Sequence, residues 1–267
     1  MIDWFQAVFL AILQGLTEFL PISSSAHLVI PSLLWSWPDQ GLAFDVAVHV
    51  GTLSAVLFYY RRDLVQLVGG CKLALREGES NEHSSMVGYL AVATIPVCVV
   101  GLAGSNFIES DLRSLPVIAT TTLVFGLLLG YADRYTRQRR QTRSMTLPMA
   151  VMIGLAQALA PVPGVSRSGV TITAGLLLDL DRQSAARFSF LLSIPVIAGA
   201  GLLKSLQLAR SDFPVDWQML FGSAVIAGIT AYACIALFLR LLDRVGLMPF
   251  VYYRIALALL LFAIWLY

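Results

Sequence analysis

The chain has 267 residues, 58% of them hydrophobic and only 13% charged, with a formal net charge of +2 and a mean hydropathy of +0.78. A soluble domain carries about 25% charged residues, so the composition excludes an ordinary soluble enzyme and predicts an all-α integral membrane protein. The small net charge, gathered in loops, gives no footing for nucleic acid as a partner, and three widely spaced cysteines, Cys71, Cys98 and Cys234, exclude a disulfide framework.

In chain order, the first apolar region covers residues 4–35. Its first charge is Asp3 and it lacks a basic leader, so residues 4–17 are expected to stay in the mature chain. It is long enough for two short helices and is broken in the middle by EFLPISSSAH. Stretches long enough to cross about 30 Å of hydrocarbon follow at 42–60, 86–104 and 115–132. A second interrupted region, 147–178, is broken by APVPGVSRSG, where Pro161, Pro163 and Gly164 end any helix near residue 160. Three more spans are expected at 187–206, 217–239 and 247–266. Neither half of an interrupted region spans comfortably alone, so both read as re-entrant helix–loop–helix hairpins. Irregular backbone at membrane depth is tolerated only where it is buried in protein or lines a wet cavity, so the serines predict a cavity.

The two breaks resemble each other. A shift of 143 residues superposes Gln14 on Gln157, Leu16 on Leu159, Ile22 on Val165, Ser23 on Ser166 and Ser25 on Ser168. One membrane domain, 1–267, then divides into repeat halves 1–140 and 141–267, each a hairpin plus three spans. Three is odd, so the repeat is inverted and the hairpins enter from opposite faces to meet near the midplane. With that topology, loops 61–83, 133–146, 179–187 and 240–247 share one side and hold thirteen Lys and Arg residues; the other side keeps Arg113 and Arg210. The imbalance puts the basic loops in the cytoplasm and both termini outside, and makes the run RYTRQRR a segment that lies near anionic lipid.

Seven ionisable residues are left within the membrane: Glu18, His27, Asp45, His49, Arg167, Lys204 and Arg254. A charge at mid-helix costs about 2.5 to 3.5 kcal/mol on insertion scales, so each needs a partner, a wet cavity or a function. Lys204 can snorkel from a helix end, and Arg254 reads as structural. Asp45 and His49, four apart, either pair locally or face the cavity. Glu18, His27 and Arg167 flank the two breaks. Arg167 between serines, just before a helix starting near Gly169, either collects a guanidinium, hydroxyls and helix N-terminal amides into an anion site suited to phosphate, or is buried as the ion-pair partner of Glu18 while a serine caps the helix. A carboxylate beside a histidine can orient the ring, which makes His27 a general base or acid, with Ser24 as a nucleophile or, alternatively, a water as attacker. An anion site enclosed in the bilayer suits a phosphate whose tail is lipid.

QGLTEFLPISSSAH resembles the (Glu/Gln)-x-x-x-Glu stretch followed by Pro-x-Ser-Ser-x-x-His of the undecaprenyl-diphosphate phosphatase family of the bacitracin-resistance type. PGVSRSGVT is similar to its second motif, Pro-Gly-x-Ser-Arg-Ser-Gly-x-Thr, and the spacing of about 140 residues, the chain length and the hydropathy pattern agree from end to end. The resemblance implies an enzyme of the bacterial cytoplasmic membrane that removes the terminal phosphate of undecaprenyl diphosphate and returns the carrier lipid to peptidoglycan synthesis. It places the catalytic group on Glu18, Ser24, His27 and Arg167. The substrate-binding lining is Gln14, Ser23, Ser25, Ser166, Ser168, Gly169 and Thr171. It also implies a divalent cation such as Mg²⁺, for which Glu18 is the one assigned ligand. One departure stands out: Gln14 occupies a position often glutamate in the family, so a neutral amide replaces a potential metal ligand or base. Partners are the undecaprenyl diphosphate lipid and membrane lipids; a homodimer is compatible with the sequence, which carries no signal for oligomeric state. The competing class is a secondary transporter, whose usual architecture is also inverted repeats with broken helices.

Overall fold

The computed structural model describes residues 2–104, 107–108, 111–137, 142–210 and 216–266. Among these there are eleven helices and no strand ladder: α1 (Trp4–Thr17), α2 (Ser24–Trp35), α3 (Gly41–Tyr59), α4 (Arg61–Glu77), α5 (Glu82–Ala103), α6 (Leu115–Arg137), α7 (Leu147–Gln157), α8 (Arg167–Leu177), α9 (Arg182–Leu208), α10 (Trp217–Val245) and α11 (Met248–Leu266). Arg139 and Arg140 of the basic run lie outside the described residues.

Helix starts follow the polar residues that break each apolar run. Asp3 accepts from the Gln6 amide at 2.8 Å while the Gln6 side chain returns a bond to the Asp3 amide at 3.0 Å, a capping box that fixes α1. Asp181 and Asp216 cap α9 and α10 through the side chain alone, accepting from the Ser184 and Met219 amides. Six helices, α3, α5, α6, α9, α10 and α11, are long and apolar enough to cross a membrane, and each falls where a span is expected. This is a multi-pass membrane protein. The helices of the interrupted regions have 14, 12, 11 and 11 residues. At 1.5 Å per residue the longest extends about 21 Å, short of a bilayer.

One expectation is corrected. Residues 61–83, read as a loop, contain the 17-residue helix α4. It turns away from α3 at Tyr60 and ends at Gly78, whose φ of +75° is a left-handed C-cap. Leu67 and Gly70 of α4 are buried while Arg61, Arg62, Lys72 and Arg76 are exposed. Its charge density hides a helix from a search for membrane spans, because the amphipathic pattern, not mean hydropathy, carries it.

The packing is inverted relative to a soluble protein. Phe5, Ile95, Leu102, Phe221, Ile229 and Leu266 are exposed, as faces toward lipid require, whereas Gln14, Thr52, Thr122, Gln157, Ser189, Ser193 and Arg254 are fully or almost fully buried. With no hydrophobic drive between helices in lipid, close contact rests on small residues. A Cβ on Gly51 of α3 would meet the Ala224 carbonyl oxygen of α10 at 2.1 Å, and one on Gly154 of α7 would meet Cα of Ala93 of α5 at 2.7 Å. Helix α8 lies at the centre against α6, α7 and α9, and α1 packs on α10 and α2. The largest apolar cluster includes the aromatic series Phe19, Phe190 and Phe238, with ring centroids 5.3 and 5.7 Å apart.

Candidate active site

Both breaks turn on a serine in left-handed backbone: Ser23 has φ +75° and ψ +96°, Ser166 has φ +71° and ψ +112°. A side chain in this region costs on the order of 1 to 3 kcal/mol and persists only where the surroundings over-determine it. Each strained serine launches a helix, α2 at Ser24 and α8 at Arg167, 143 residues apart.

Arg254 of α11, with no exposure at all, holds the two turns together. Its guanidinium donates to the carbonyls of Pro21 in the first break (3.2 Å) and of Gly164 (2.8 Å) and Val165 (3.2 Å) in the second, and to Thr121 (3.4 Å) and Thr122 (3.1 Å) of α6. Ser168 Oγ adds a bond to the Leu20 carbonyl at 2.9 Å. Carbonyls at the ends of broken helices have no helical partner, and a planar five-donor group is suited to collecting them.

Across that junction the carboxylate of Glu18 joins the two regions. Its Oε1 accepts from Arg167 Nη2 at 2.9 Å, and its Oε2 accepts from Ser24 Oγ and from Gln14 Nε2, both at 2.9 Å. The side chains of Glu18 and Arg167 are 8% and 11% exposed, a nearly dry pair that leaves little water to screen it. Arg167 also reaches the Ser189 carbonyl at 3.3 Å and lies over the Phe19 ring, 5.7 Å from its centroid. Thr171 bonds Ser189 Oγ at 2.7 Å. Six of the expected site residues are thus brought together: Gln14, Glu18, Ser24, Arg167, Ser168 and Thr171 form one connected set with Leu20 and Ser189.

Other expected pairings are replaced. The carboxylate expected beside His27 bonds Ser24 and Arg167, and His27 lies behind the first turn, Nδ1 2.7 Å from the Ser23 carbonyl and Nε2 2.6 Å from the Tyr253 hydroxyl. The carbonyl can only accept, so Nδ1 carries a proton, and when the ring is neutral Nε2 accepts from Tyr253. Tyr253 also stacks on the ring, 5.5 Å between centroids. The Gly169 amide, expected to face phosphate, donates to Ser166 Oγ at 3.1 Å, whereas Ser23 gives α2 no such cap and bonds Ser25 Oγ at 3.1 Å. His49 lies nearer the carboxylate than His27 does. Its Nε2 is 3.9 Å from Glu18 Oε2, and its Nδ1 bonds the Asp45 backbone carbonyl rather than the Asp45 carboxylate. That carboxylate takes Gln40 and Lys204 instead. Tyr253 and Ser189 escape sequence reading because a tyrosine or serine within an apolar span has no local pattern to mark it; the buried Arg254 beside Tyr253 is the one signal.

Among the described residues no three His, Cys, Asp or Glu side chains cluster as a metal site. Glu18 offers a carboxylate oxygen, and Gln14 Oε1 beside it is buried with no hydrogen-bond partner. These two hard oxygen donors fit a cation that takes its remaining ligands from water and substrate phosphates, as Mg²⁺ commonly does.

Comparison with known proteins gives the same direction. The model of the family described as bacitracin resistance protein BacA matches residues 7–260. The undecaprenyl-diphosphatase of Alcanivorax borkumensis is 56% identical over 259 residues, covering 97% of this chain and 98% of that one. Those of Hahella chejuensis and Saccharophagus degradans are 52% and 53% identical, with coverage of 98% or more on both sides. A family match that runs through both breaks and from residue 7 to residue 260 leaves one conclusion: the chain belongs to the bacitracin resistance protein BacA family.

Proposed function

We propose that the protein hydrolyses undecaprenyl diphosphate to undecaprenyl phosphate and inorganic phosphate in the bacterial cytoplasmic membrane, recycling the carrier lipid for peptidoglycan synthesis and conferring resistance to bacitracin. The observation that carries this reading is the Ser24–Glu18–Arg167 chain, two bonds of 2.9 Å that put a hydroxyl, a carboxylate and a guanidinium on one line across the two breaks. The names of the relatives support it. The four short helices are re-entrant, the halves are inverted repeats, and the site opens to the outer face with both termini outside. Support for this comes from helix lengths below a bilayer's thickness, the paired strained serines and the basic loops of the opposite side.

Arg167 and the uncapped first amides of α2 bind the diphosphate and stabilise charge on the transferring phosphoryl group. Ser24 Oγ, aligned by its bond to Glu18, attacks the terminal phosphorus as its proton passes to the carboxylate. The P–O bond to undecaprenyl phosphate breaks, and water then hydrolyses the phosphoserine. Arg167 turns from Glu18 toward the phosphate as charge develops. His27 with Tyr253 fixes the Ser23 carbonyl and so the aim of Ser24. Ser23, Ser25, Ser166, Ser168, Gly169 and Thr171 shape the turns around the headgroup. A divalent cation held at Glu18 and Gln14, when bound, would neutralise diphosphate charge.

The test is release of inorganic phosphate from undecaprenyl diphosphate by the purified protein in detergent, with and without Mg²⁺, beside Arg167→Ala. Release that collapses in the variant while it elutes as a folded protein is the expected result. Specific binding of the lipid without release under any divalent ion overturns the proposal in favour of transport, which leaves phosphate bonds intact.

A further inference from the structure

The open question at the centre of the site is what a buried glutamine does beside the one carboxylate. Gln14 has no exposure. Its Nε2 is 2.9 Å from Glu18 Oε2 and 3.4 Å from His49 Nε2, while its Oε1 has no partner. Leaving a buried acceptor unmade costs about 1 to 3 kcal/mol. Turning the amide end for end would place Oε1 where Nε2 now is, against a carboxylate oxygen and an imidazole nitrogen. Three lone pairs meeting at one point repel unless a cation lies between them.

The imidazole is set for that role. Its Nδ1–H is committed to the Asp45 carbonyl at 2.7 Å, which fixes the tautomer and leaves the Nε2 lone pair facing Glu18 and Gln14. Such a bond from the far ring nitrogen is the common support of a metal-binding histidine. The separations within the set are 2.9, 3.4 and 3.9 Å. Neighbouring ligands about 2.1 Å from a common metal stand roughly 3.0 Å apart in an octahedron and about 3.4 Å apart in a tetrahedron, so small side-chain movements close the set on one ion. The second break has no equivalent: the residue 143 positions after Glu18 is Pro161, and Gln157 donates to the Ala93 carbonyl.

We infer that His49 is a ligand of the divalent cation, together with Glu18 Oε2 and Gln14 Oε1, and that this mixed nitrogen–oxygen set shifts the preference of this chain from Mg²⁺ toward Mn²⁺. Mg²⁺ dehydrates reluctantly and favours oxygen, whereas Mn²⁺, at the start of the transition series along which affinity for nitrogen ligands rises, gives up a water to an imidazole more readily than Mg²⁺ does. The inference rests on the cation of the functional reading above, and supplies for Gln14 a reason that a missing carboxylate alone does not.

The test uses the full chain in detergent, labelled with nitrogen-15 histidine and loaded with Mn²⁺ in the absence of lipid substrate. Pulsed electron paramagnetic resonance is expected to show a directly bound nitrogen-15, and His49→Gln to remove it and weaken Mn²⁺ binding about tenfold or more. His49→Gln combined with Gln14→Glu is expected to recover cation binding without the nitrogen signal and with Mg²⁺ favoured again. Absence of nitrogen coupling in the wild type, or unchanged Mn²⁺ affinity in folded His49→Gln, overturns the inference. Phosphate release is measured on the same preparations. Hydrolysis without nitrogen coupling sinks the ligand assignment alone, and nitrogen coupling without hydrolysis sinks the functional reading while the site stands.

Discussion

The two breaks share a backbone and divide the chemistry. Both bend at a strained serine and both start a short helix, yet the second is satisfied more fully: Arg254 donates to its Gly164 and Val165 carbonyls and Thr121 Oγ1 to that of Pro163. Ser166 caps its own helix through Gly169, and Ser168, Gly169, Val170, Thr171, Ile172, Thr173, Gly175 and Leu176 of α8 are buried. The first is left open: Ser23 caps nothing, Ser25 is exposed, and Leu34 and Trp35 at the far end of α2 face the surroundings. At the equivalent of the first hydroxyl after the turn, Ser24, the second break carries Arg167. In the function proposed above, the second turn anchors the anion and the first keeps its hydroxyl and its amides for the reaction. Similar backbone geometry with unequal satisfaction of its polar groups is what gives the two turns different parts in that proposal.

The strongest way to break this division is at Ser24. Ser24→Ala is expected to reduce phosphate release on the order of 10³-fold or more, as loss of a covalent nucleophile does, while Ser25→Ala, whose Oγ bonds Ser23 Oγ, stays within about threefold because it removes one bond between two neutral hydroxyls. A Ser24→Ala enzyme within about tenfold of wild type would fit a lost hydrogen bond rather than a lost nucleophile, and would make water the attacker. Next in size is the anchor itself. Arg167→Ala is expected to cost about 10²- to 10³-fold in kcat/KM. Arg167→Lys should recover only part of that, since one ammonium cannot serve Glu18, Ser189 and a phosphate in a fixed plane.

How much of this was legible in the sequence depends on what carried the signal. Spans and breaks were legible because hydrocarbon thickness sets a length and proline with glycine sets a stop. Glu18, Ser24 and Arg167 were legible because a dense polar cluster in an apolar chain has few excuses. Their partners were legible only in part: the pairing of Arg167 with Glu18 was one of the two readings of that arginine, whereas the partner of Ser24 was not foreseen. Sequence proximity suggested that Glu18 serves His27, nine residues on, but the strained turn at Ser23 rotates α2 so that Ser24 faces the carboxylate and His27 faces α11. His49 and Tyr253 arrive from helices far away in the chain, and no local spacing encodes such a meeting. Helix α4 was missed for a different reason, since a charged amphipathic helix looks like a loop to a hydropathy count.

Helix α11 supplies the remaining tests, because it touches both breaks. Arg254→Met removes the donors of five carbonyls, Pro21, Thr121, Thr122, Gly164 and Val165. It is expected to lower stability by about 2 to 4 kcal/mol, given that a buried acceptor without a partner costs about 1 to 3 kcal/mol and some will re-pair. Thermal unfolding in detergent reads this directly, and an unchanged Tm would remove Arg254 from its role as the clamp.

A small effect is expected at the neighbouring residue, Tyr253, and it is the most discriminating for the first break. Tyr253→Phe keeps the ring stacked on His27 and deletes only the hydroxyl 2.6 Å from Nε2. If His27 acts by holding the Ser23 carbonyl, Nδ1–H survives the change, the turn keeps its aim, and phosphate release should fall by no more than about fivefold, the worth of one hydrogen bond of about 1 kcal/mol. If Tyr253 instead passes a proton to or from His27 during turnover, the loss should approach the 10²-fold or so typical of a missing acid–base group, with a solvent isotope effect that the phenylalanine variant lacks. The hydroxyl thus separates a histidine that shapes the open turn from one that takes part in its chemistry.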